Sequence, residues 1–291
     1  MILVTGATGH VGSELIAKLV AGGQPVRAMT RRPATVKVPP GVELAYGDCD
    51  DAGSLAAAFD GTDRAFLMSA QAPGSAEYPS HDLRLIDAAR RAGVRHVVKL
   101  SVYSGGDGDD AIGAWHREAE AAVIDSGIEW TLLRPGRFMS NALQWAPMIQ
   151  HGDTVHVPFA SRAAASIDPA DIAAVALVAL TTEGHRNIAY QLSGPEVLTP
   201  AEELAILAEV LGRPLRLIEP PIDTVKSAMR AAGTPAHVIG AIVARAQGSE
   251  GTDVLPTVAQ IIGRPPTTFR QWATTYAALF FDKEAQYAPQ H

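Results

Sequence analysis

The chain opens Met1-Ile2-Leu3-Val4-Thr5-Gly6-Ala7-Thr8-Gly9-His10-Val11-Gly12, an apolar run followed by three glycines at G-x-x-G-x-x-G spacing. An amphipathic stretch then begins at Val11 and reaches Gly22-Gly23. A strand, a tight glycine turn and a helix are the reading of this order. Such a turn presents backbone N–H groups at a helix N-terminus, where an anionic pyrophosphate is favoured. The first glycine permits the sharp turn, the second lets the phosphates approach the backbone, and the third lets helix and strand pack closely. The spacing departs from the G-x-G-x-x-G of dehydrogenases.

Outward from this turn, short apolar runs suited to buried parallel strands recur at 2–4, 26–29, 42–46, 65–68, 96–100 and 130–133, with a seventh candidate at 189–192. Helical patterns lie between them at 11–21, 55–59, 81–92, 113–126 and 168–180. The alternation predicts an α/β fold, a Rossmann doubly wound parallel sheet. Gly22-Gly23, Gly93 and Gly127 stand where left-handed caps would return the chain to a strand. After residue 192 the pattern changes. Thr199-Pro200-Ala201-Glu202 reads as N-cap, N1 proline and N3 glutamate of a helix running to about Gly212. Further helical segments near 222–232, 236–246, 256–262 and 267–280 complete a smaller, mostly helical C-terminal lobe. The expected division is a dinucleotide-binding domain over 1–155 with return segments around 165–195, and a substrate-capping lobe over 196–291.

Length and 47% hydrophobic content allow one sizeable core in 291 residues. A formal charge of −7, without any Lys/Arg run, argues against direct nucleic-acid binding. Cys49 is the only cysteine, so no internal disulfide can form. The start lacks the pattern of a signal peptide, and the longest apolar stretch, 172–180, is about half of the ~20 residues a membrane span needs. A cytoplasmic location, no membrane association and a small-molecule substrate are the expectation, with a homodimer left open.

The end of the second strand selects the dinucleotide. An acidic residue there accepts from the ribose hydroxyls of NAD, whereas a 2′-phosphate calls for a guanidinium. The sequence reads Thr30-Arg31-Arg32-Pro33 with no carboxylate, which favours NADP(H), although arginines at such a turn can also serve only as solvated surface. After the third strand come Gly47-Asp48-Cys49-Asp50-Asp51. Asp48 could accept from the adenine amino group, and either Asp50 or Asp51 could cap the next helix. The loop Ser69-Ala70-Gln71 leaves the same sheet edge and should pass under the ribose and pyrophosphate.

Several segments together resemble the NmrA-like branch of the atypical short-chain dehydrogenase/reductases. They are V-T-G-A-T-G-H-V-G (4–12), T-R-R-P (30–33), Y-G-D (46–48), W-H-R-E-A-E (115–120), S-G-I-E-W-T-L-L-R-P-G-R-F-M-S-N (126–141), D-P-A-D-I-A (168–173), Y-Q-L-S-G-P-E-V-L-T (190–199) and G-R-P-P-T-T-F-R-Q-W (263–272). The resemblance implies an extended Rossmann domain binding NADP(H). Carried over by position, it puts the phosphates on Gly6, Thr8, Gly9, His10, Val11 and Gly12, and the 2′-phosphate on Arg31 with Arg32 beside it. Asp48 and Cys49 would lie by the adenine, and Ser69, Ala70 and Gln71 along the ribose. Lys99 and Ser101 would end strand five near the nicotinamide ribose, Pro135 to Phe138 would line the nicotinamide, and substrate would fill the gap beneath the small lobe.

The usual proton-transfer pair of short-chain dehydrogenases, Tyr-x-x-x-Lys, is absent. Four residues before Lys18, Lys37, Lys99, Lys226 and Lys283 stand Glu14, Pro33, Arg95, Ile222 and Leu279. No lysine lies between Lys99 and Lys226, so the helix-borne lysine of the plant-type reductases is missing as well. Candidate catalytic residues are therefore Tyr103 and His116, the latter one helical turn from Glu120, which could hold its imidazole or merely form a surface pair. Tyr103 precedes a glycine-rich loop, 104–108, suited to a gate. No metal-ligand spacing and no hydrolase elbow occur. An NADPH-dependent reductase of a quinone, enone or aromatic ketone fits best, because the anion left by hydride addition to such acceptors is delocalised and needs no strong acid. The alternative is a catalytically silent NADP(H) sensor that binds a protein partner. Phe138, Met139, Trp145 and Phe159 speak for an apolar cavity against it, though each could be ordinary core.

Overall fold

The structure, a computed structural model, describes residues 1–69, 71, 75–76, 78–103, 110–248 and 251–281. It divides into two compact units, the first built from Met1–Pro135 and Pro169–Leu192, the second from Gly136–Asp168 and the chain from Ser193 onward.

In the first unit the strands are β1 (Ile2–Val4), β2 (Val26–Thr30), β3 (Glu43–Tyr46), β4 (Arg64–Leu67), β5 (His96–Leu100), β6 (Glu129–Pro135) and β8 (Ile188–Leu192). They form one sheet in the order β3-β2-β1-β4-β5-β6-β8, and every pairing is parallel. All seven expected strands are present. The connections reverse between β1 and β4, so the loops after these two strands flank the crevice where ligands enter such sheets. Helices α1 (His10–Ala21) and α6 (Pro169–Thr181) pack together on one face. Helices α2 (Ala52–Phe59), α3 (Ser80–Arg91) and α4 (Ala111–Asp125) cover the other.

Alternation along the strands assigns side chains to faces. Leu3, Ala65, Leu67, Val97 and Leu132 join Leu55, Phe59, Leu85 and Val123 in the core beneath α2, α3 and α4. Lys99, two residues after Val97, is carried to that same buried face. The αL positions fall at Gly23, Gly93 and Gly127. Gly22 itself is not left-handed, with φ −82°.

The second unit begins earlier than expected. Residues 136–168, of which the sequence pattern assigns 136–155 to the dinucleotide domain, carry a 3-10 turn (Met139–Trp145), α5 (Ala146–His151) and β7 (Thr154–His156). Strand β7 pairs in parallel with β9 (Arg216–Ile218), and α7 (Pro200–Leu211), α8 (Ile222–Ala231), α9 (Ala236–Gln247), α10 (Thr257–Ile262) and α11 (Phe269–Thr275) follow. The capping box of Thr199 and Glu202 opens α7, and Gly212 closes it in αL, as its sequence signature requires. Met139 and Trp145 belong to this unit's core with Ile149, Leu207, Phe269, Trp272 and Phe280. Those two are packing residues, which removes them from the argument for a cavity. Among the described residues no helix is long and apolar enough to cross a membrane.

Candidate active site

The glycine turn is built by contacts that only glycine allows. Thr5, fully buried, ties the ends of β1 and β4 together: its hydroxyl donates to the Met68 carbonyl at 2.8 Å and accepts from the Met68 N–H at 2.8 Å. Gly6 has φ +61°, and a Cβ there would lie 2.5 Å from the Met68 sulfur. A Cβ on Gly12 would lie 2.2 Å from the Gly6 carbonyl oxygen. Gly9 is different, since its Cβ would meet the Gly6 oxygen at 3.3 Å, tight but tolerable. Gly6 and Gly12 thus serve the packing of β1 on α1, while Gly9 keeps the surface above the turn bare.

Gly9 is also the N-cap of α1. No side chain caps this end and its first turn carries no acidic residue, so its N–H groups face outward with the favourable pole of the helix dipole. Ala7 and Val11 are buried beneath the turn, whereas Thr8 and His10 are exposed. Neighbouring protein nevertheless desolvates the His10 ring and lowers its pKa.

Because the sheet is parallel, other sequence candidates gather at the same carboxyl edge. Arg31 and Arg32 follow β2 and are exposed, and neither guanidinium is committed to a carboxylate among the described residues. After β3, Asp48 Oδ1 accepts from the Asp50 N–H at 3.0 Å. Of the two capping candidates it is Asp51 that caps α2, accepting from the N–H groups of Gly53 and Ser54. Asp50 instead pairs with Arg84, whose hydrogen bond holds its carboxyl below the usual range. Cys49 is half-buried against the core. Burial first, then the carboxylates of Asp48, Asp82 and Asp50, push its thiol up to about 11, so it stays protonated and inert at neutral pH.

The loop after β4 keeps Ser69 at the edge, its hydroxyl accepting from the Gln71 N–H at 3.2 Å. The Gln71 amide is spent on the start of α3, donating to Ser80 Oγ at 3.0 Å and accepting from the His81 N–H at 2.9 Å. This use was not foreseen from sequence. Ala70, and the proposed gate at 104–108, lie outside the described residues.

At the end of β5 the expectation for Lys99 needs correction. Its ammonium points into the protein, donating to Asp82 Oδ1 on α3 at 2.7 Å and to the Leu100 carbonyl at 3.1 Å. Both partners of this ion pair are almost wholly buried. Ser101, just beyond β5, is buried, its N–H donates to the Leu133 carbonyl at 2.7 Å, and its hydroxyl has no partner among the described residues. Pro135 ends β6 at the same edge. Phe138 belongs to the second unit, where it bridges Ile167.

Tyr103 and His116 are half-buried. The Glu120–His116 pairing weighed from sequence does not form, because both Glu120 oxygens are taken by Arg134, Nε to Oε1 at 3.0 Å and Nη2 to Oε2 at 2.6 Å. Arginine's planar fork outcompetes an imidazole for a buried carboxylate. Among the described residues no cluster of three or more metal-ligating side chains exists.

A dinucleotide fits this arrangement. The bare Gly9 and the uncapped start of α1 suit a pyrophosphate, and Arg31 and Arg32 stand uncommitted one strand away. Comparison with known proteins gives the same picture. The description NAD(P)H-binding matches residues 6–183. The (4-alkanoyl-5-oxo-2,5-dihydrofuran-3-yl)methyl phosphate reductase of Streptomyces griseus is 42% identical over 96% of this chain and 99% of its own. The NAD(P)H azoreductase of Xenophilus azovorans is 36% identical over 96% and 99%. Among solved structures, the NADPH-dependent quinone oxidoreductase of Escherichia coli complexed with NADPH aligns with a TM-score of 0.80 at 26% identity, over 95% of this chain and 100% of that one.

Proposed function

The chain belongs to the NAD(P)H-binding family and is an oxidoreductase of the atypical short-chain dehydrogenase/reductase type, and from that premise we propose that it uses NADPH to reduce a conjugated, electron-poor acceptor such as a quinone or an enone. The bound nicotinamide supplies a hydride. What the chain contributes is binding and orientation, with no Tyr-x-x-x-Lys pair in its sequence to supply a proton.

The observation that carries this reading is the fate of Lys99. Lys99, at the carboxyl end of β5, is buried against Asp82, so its ammonium is spent on that carboxylate and is not turned toward a tyrosine. A simple ketone would become an alkoxide that needs such a donor, whereas a quinone or enone places the charge on a delocalised anion that water can protonate. Two of the relatives bear on this. An azo group accepts electrons into a conjugated system, and the name of the Streptomyces substrate describes a ring double bond with two carbonyl groups on one of its carbons. Gly6, Gly9, His10, Val11 and Gly12 would hold the phosphates, Arg31 and Arg32 the 2′-phosphate, Asp48 the adenine, and Ser101 and Pro135 the nicotinamide end. Tyr103 and His116 would contribute binding more than acid chemistry.

Initial rates of NADPH oxidation with a panel of quinones, enones and simple ketones test the proposal. Turnover with the conjugated acceptors and none with the ketones is the expected result. NADPH binding without oxidation by any acceptor would favour the silent sensor.

A further inference from the structure

A buried ion pair stands at the end of β5, and the proposed chemistry makes no direct use of it. Lys99 lies on β5 and Asp82 in the first turn of α3, and both side chains are almost wholly buried. Taking two charges out of water costs about as much as their attraction returns, so a well-packed apolar pair would join strand and helix at least as firmly. Stability alone therefore does not account for these two residues. Asp82 is also held in place from outside the pair. The Gln71 amide grips the start of α3, donating to Ser80 Oγ at 3.0 Å and accepting from the His81 N–H at 2.9 Å.

What the pair adds is a donor at one particular carbonyl. The Ser101 N–H points toward β6, donating to the Leu133 carbonyl at 2.7 Å. Across a trans peptide the carbonyl points the other way, so that of Leu100 is aimed toward β4. Strand β4 has ended there: its last residue, Leu67, lies opposite Lys99, and the N–H of Met68 is spent on Thr5. Lys99 Nζ supplies the donor instead, reaching the Leu100 carbonyl at 3.1 Å, while Asp82 Oδ1 at 2.7 Å fixes where the ammonium sits. The peptide between Leu100 and Ser101 is thus gripped at both ends. Ser101 itself is 4% exposed, and its hydroxyl has no partner among the described residues. A buried hydroxyl without a partner, on a backbone held this firmly, is preorganised for a group that arrives from outside. All of these residues belong to the first unit.

We infer that Lys99 and Asp82 are positioning residues: through the Leu100 carbonyl they set the Ser101 hydroxyl for a hydrogen bond with the nicotinamide half of the cofactor. The inference rests on the assignment of Ser101 to that half in the proposed function. The ion pair is buried for the sake of this placement, and neither of its members touches the cofactor.

Calorimetric titration tests it in the parent, in Ser101→Ala, in the double variant Lys99→Met with Asp82→Leu, and in the triple variant that combines them. The ligands are NADPH and 2′,5′-ADP, which carries the adenosine end with its phosphate but no nicotinamide. Ser101→Ala and the double variant should each bind NADPH about fivefold more weakly, the size of one net hydrogen bond. The triple variant should lose less than about twofold beyond the double, because both changes remove the same contact. Affinity for 2′,5′-ADP should stay within about twofold in every variant, which a general loosening of the sheet edge would not allow. Should the double variant not fold, Lys99→Met with Asp82→Asn, which keeps the volume of the acid, replaces it with the same expectations. A Ser101→Ala protein or a double variant that binds NADPH like the parent, equal losses on both ligands, or a Ser101→Ala effect undiminished in the triple variant would overturn the inference. A parent that does not bind NADPH would overturn the cofactor assignment itself, and the inference with it.

Discussion

Replacing Gly12 and Gly9 by alanine, one at a time, separates folding from binding at the same turn. In Gly12→Ala the added Cβ falls 2.2 Å from the Gly6 carbonyl oxygen and 2.8 Å from its carbon. These are backbone atoms, and Gly6 is backed by Met68, so the turn cannot simply relax. Alanine gains about 1 kcal/mol of helix propensity over glycine, while overpacking at a site that cannot give costs about 3 kcal/mol. A net loss of about 2 kcal/mol of stability follows. In Gly9→Ala the nearest atom is at 3.3 Å and φ is an ordinary −84°, so stability should change by about 1 kcal/mol or less. NADPH affinity should nonetheless fall at least about tenfold, because a methyl group stands where phosphate must approach the N–H groups of α1. Urea denaturation gives the first quantity and calorimetric titration with NADPH the second. A Gly12→Ala protein as stable as the parent would refute the packing argument. A folded Gly9→Ala protein with undiminished NADPH affinity would place the nucleotide elsewhere.

Arg31→Ala should weaken NADPH binding by about 1.5–3 kcal/mol while leaving NADH nearly unchanged, and equal calorimetric affinities for the two cofactors in the parent would contradict the role of that arginine. His96 is buried at the opposite edge of the sheet, its Nε2 2.9 Å from Thr131 Oγ1, and burial first, then nearby Arg186, lower its pKa from 6.5 to about 4. The unfolded chain takes up this proton near pH 6.5 and the fold only near 4, so stability present above pH 6.5 is lost as pH falls, by about 3 kcal/mol at pH 4. Denaturation of the parent and His96→Gln between pH 7 and 4 should show the parent losing that much more than the variant, and parallel curves would exclude His96 as the cause. Lys99→Met should cost about 3–5 kcal/mol by stranding Asp82, and adding Asp82→Leu should recover most of it. A stable Lys99→Met protein with weakened NADPH binding would return Lys99 to the cofactor site.

The sheet was legible because every strand of the first unit is an apolar run bounded by a turn signal, and the glycine turn because Gly6, Gly9 and Gly12 each answer a separate steric demand. The division between the units was not. Strands β7 and β9 have three residues each, too short for a periodic signal, and Arg134-Pro135-Gly136-Arg137 carries the chain from one unit to the other without a linker-like composition. Lys99 was misplaced because strand position tells which sheet edge a residue approaches, whereas its side chain answers to the face it lies on. A lysine in step with Val97 on a buried strand was a signal that an acidic partner must wait on the covering helix, and Asp82 is that partner. Glu120 went the same way, claimed by an arginine fourteen residues on, beyond the reach of any local spacing rule.

A single turnover with NADPH deuterated at the transferable position of the nicotinamide, against an enone, tests the central claim most directly. Oxidation of NADPH with deuterium on the β carbon of the product, and a simple ketone left unreduced under the same conditions, are the expected results. Oxidation without label in the product, or reduction of the ketone with label on its carbinol carbon, would contradict it.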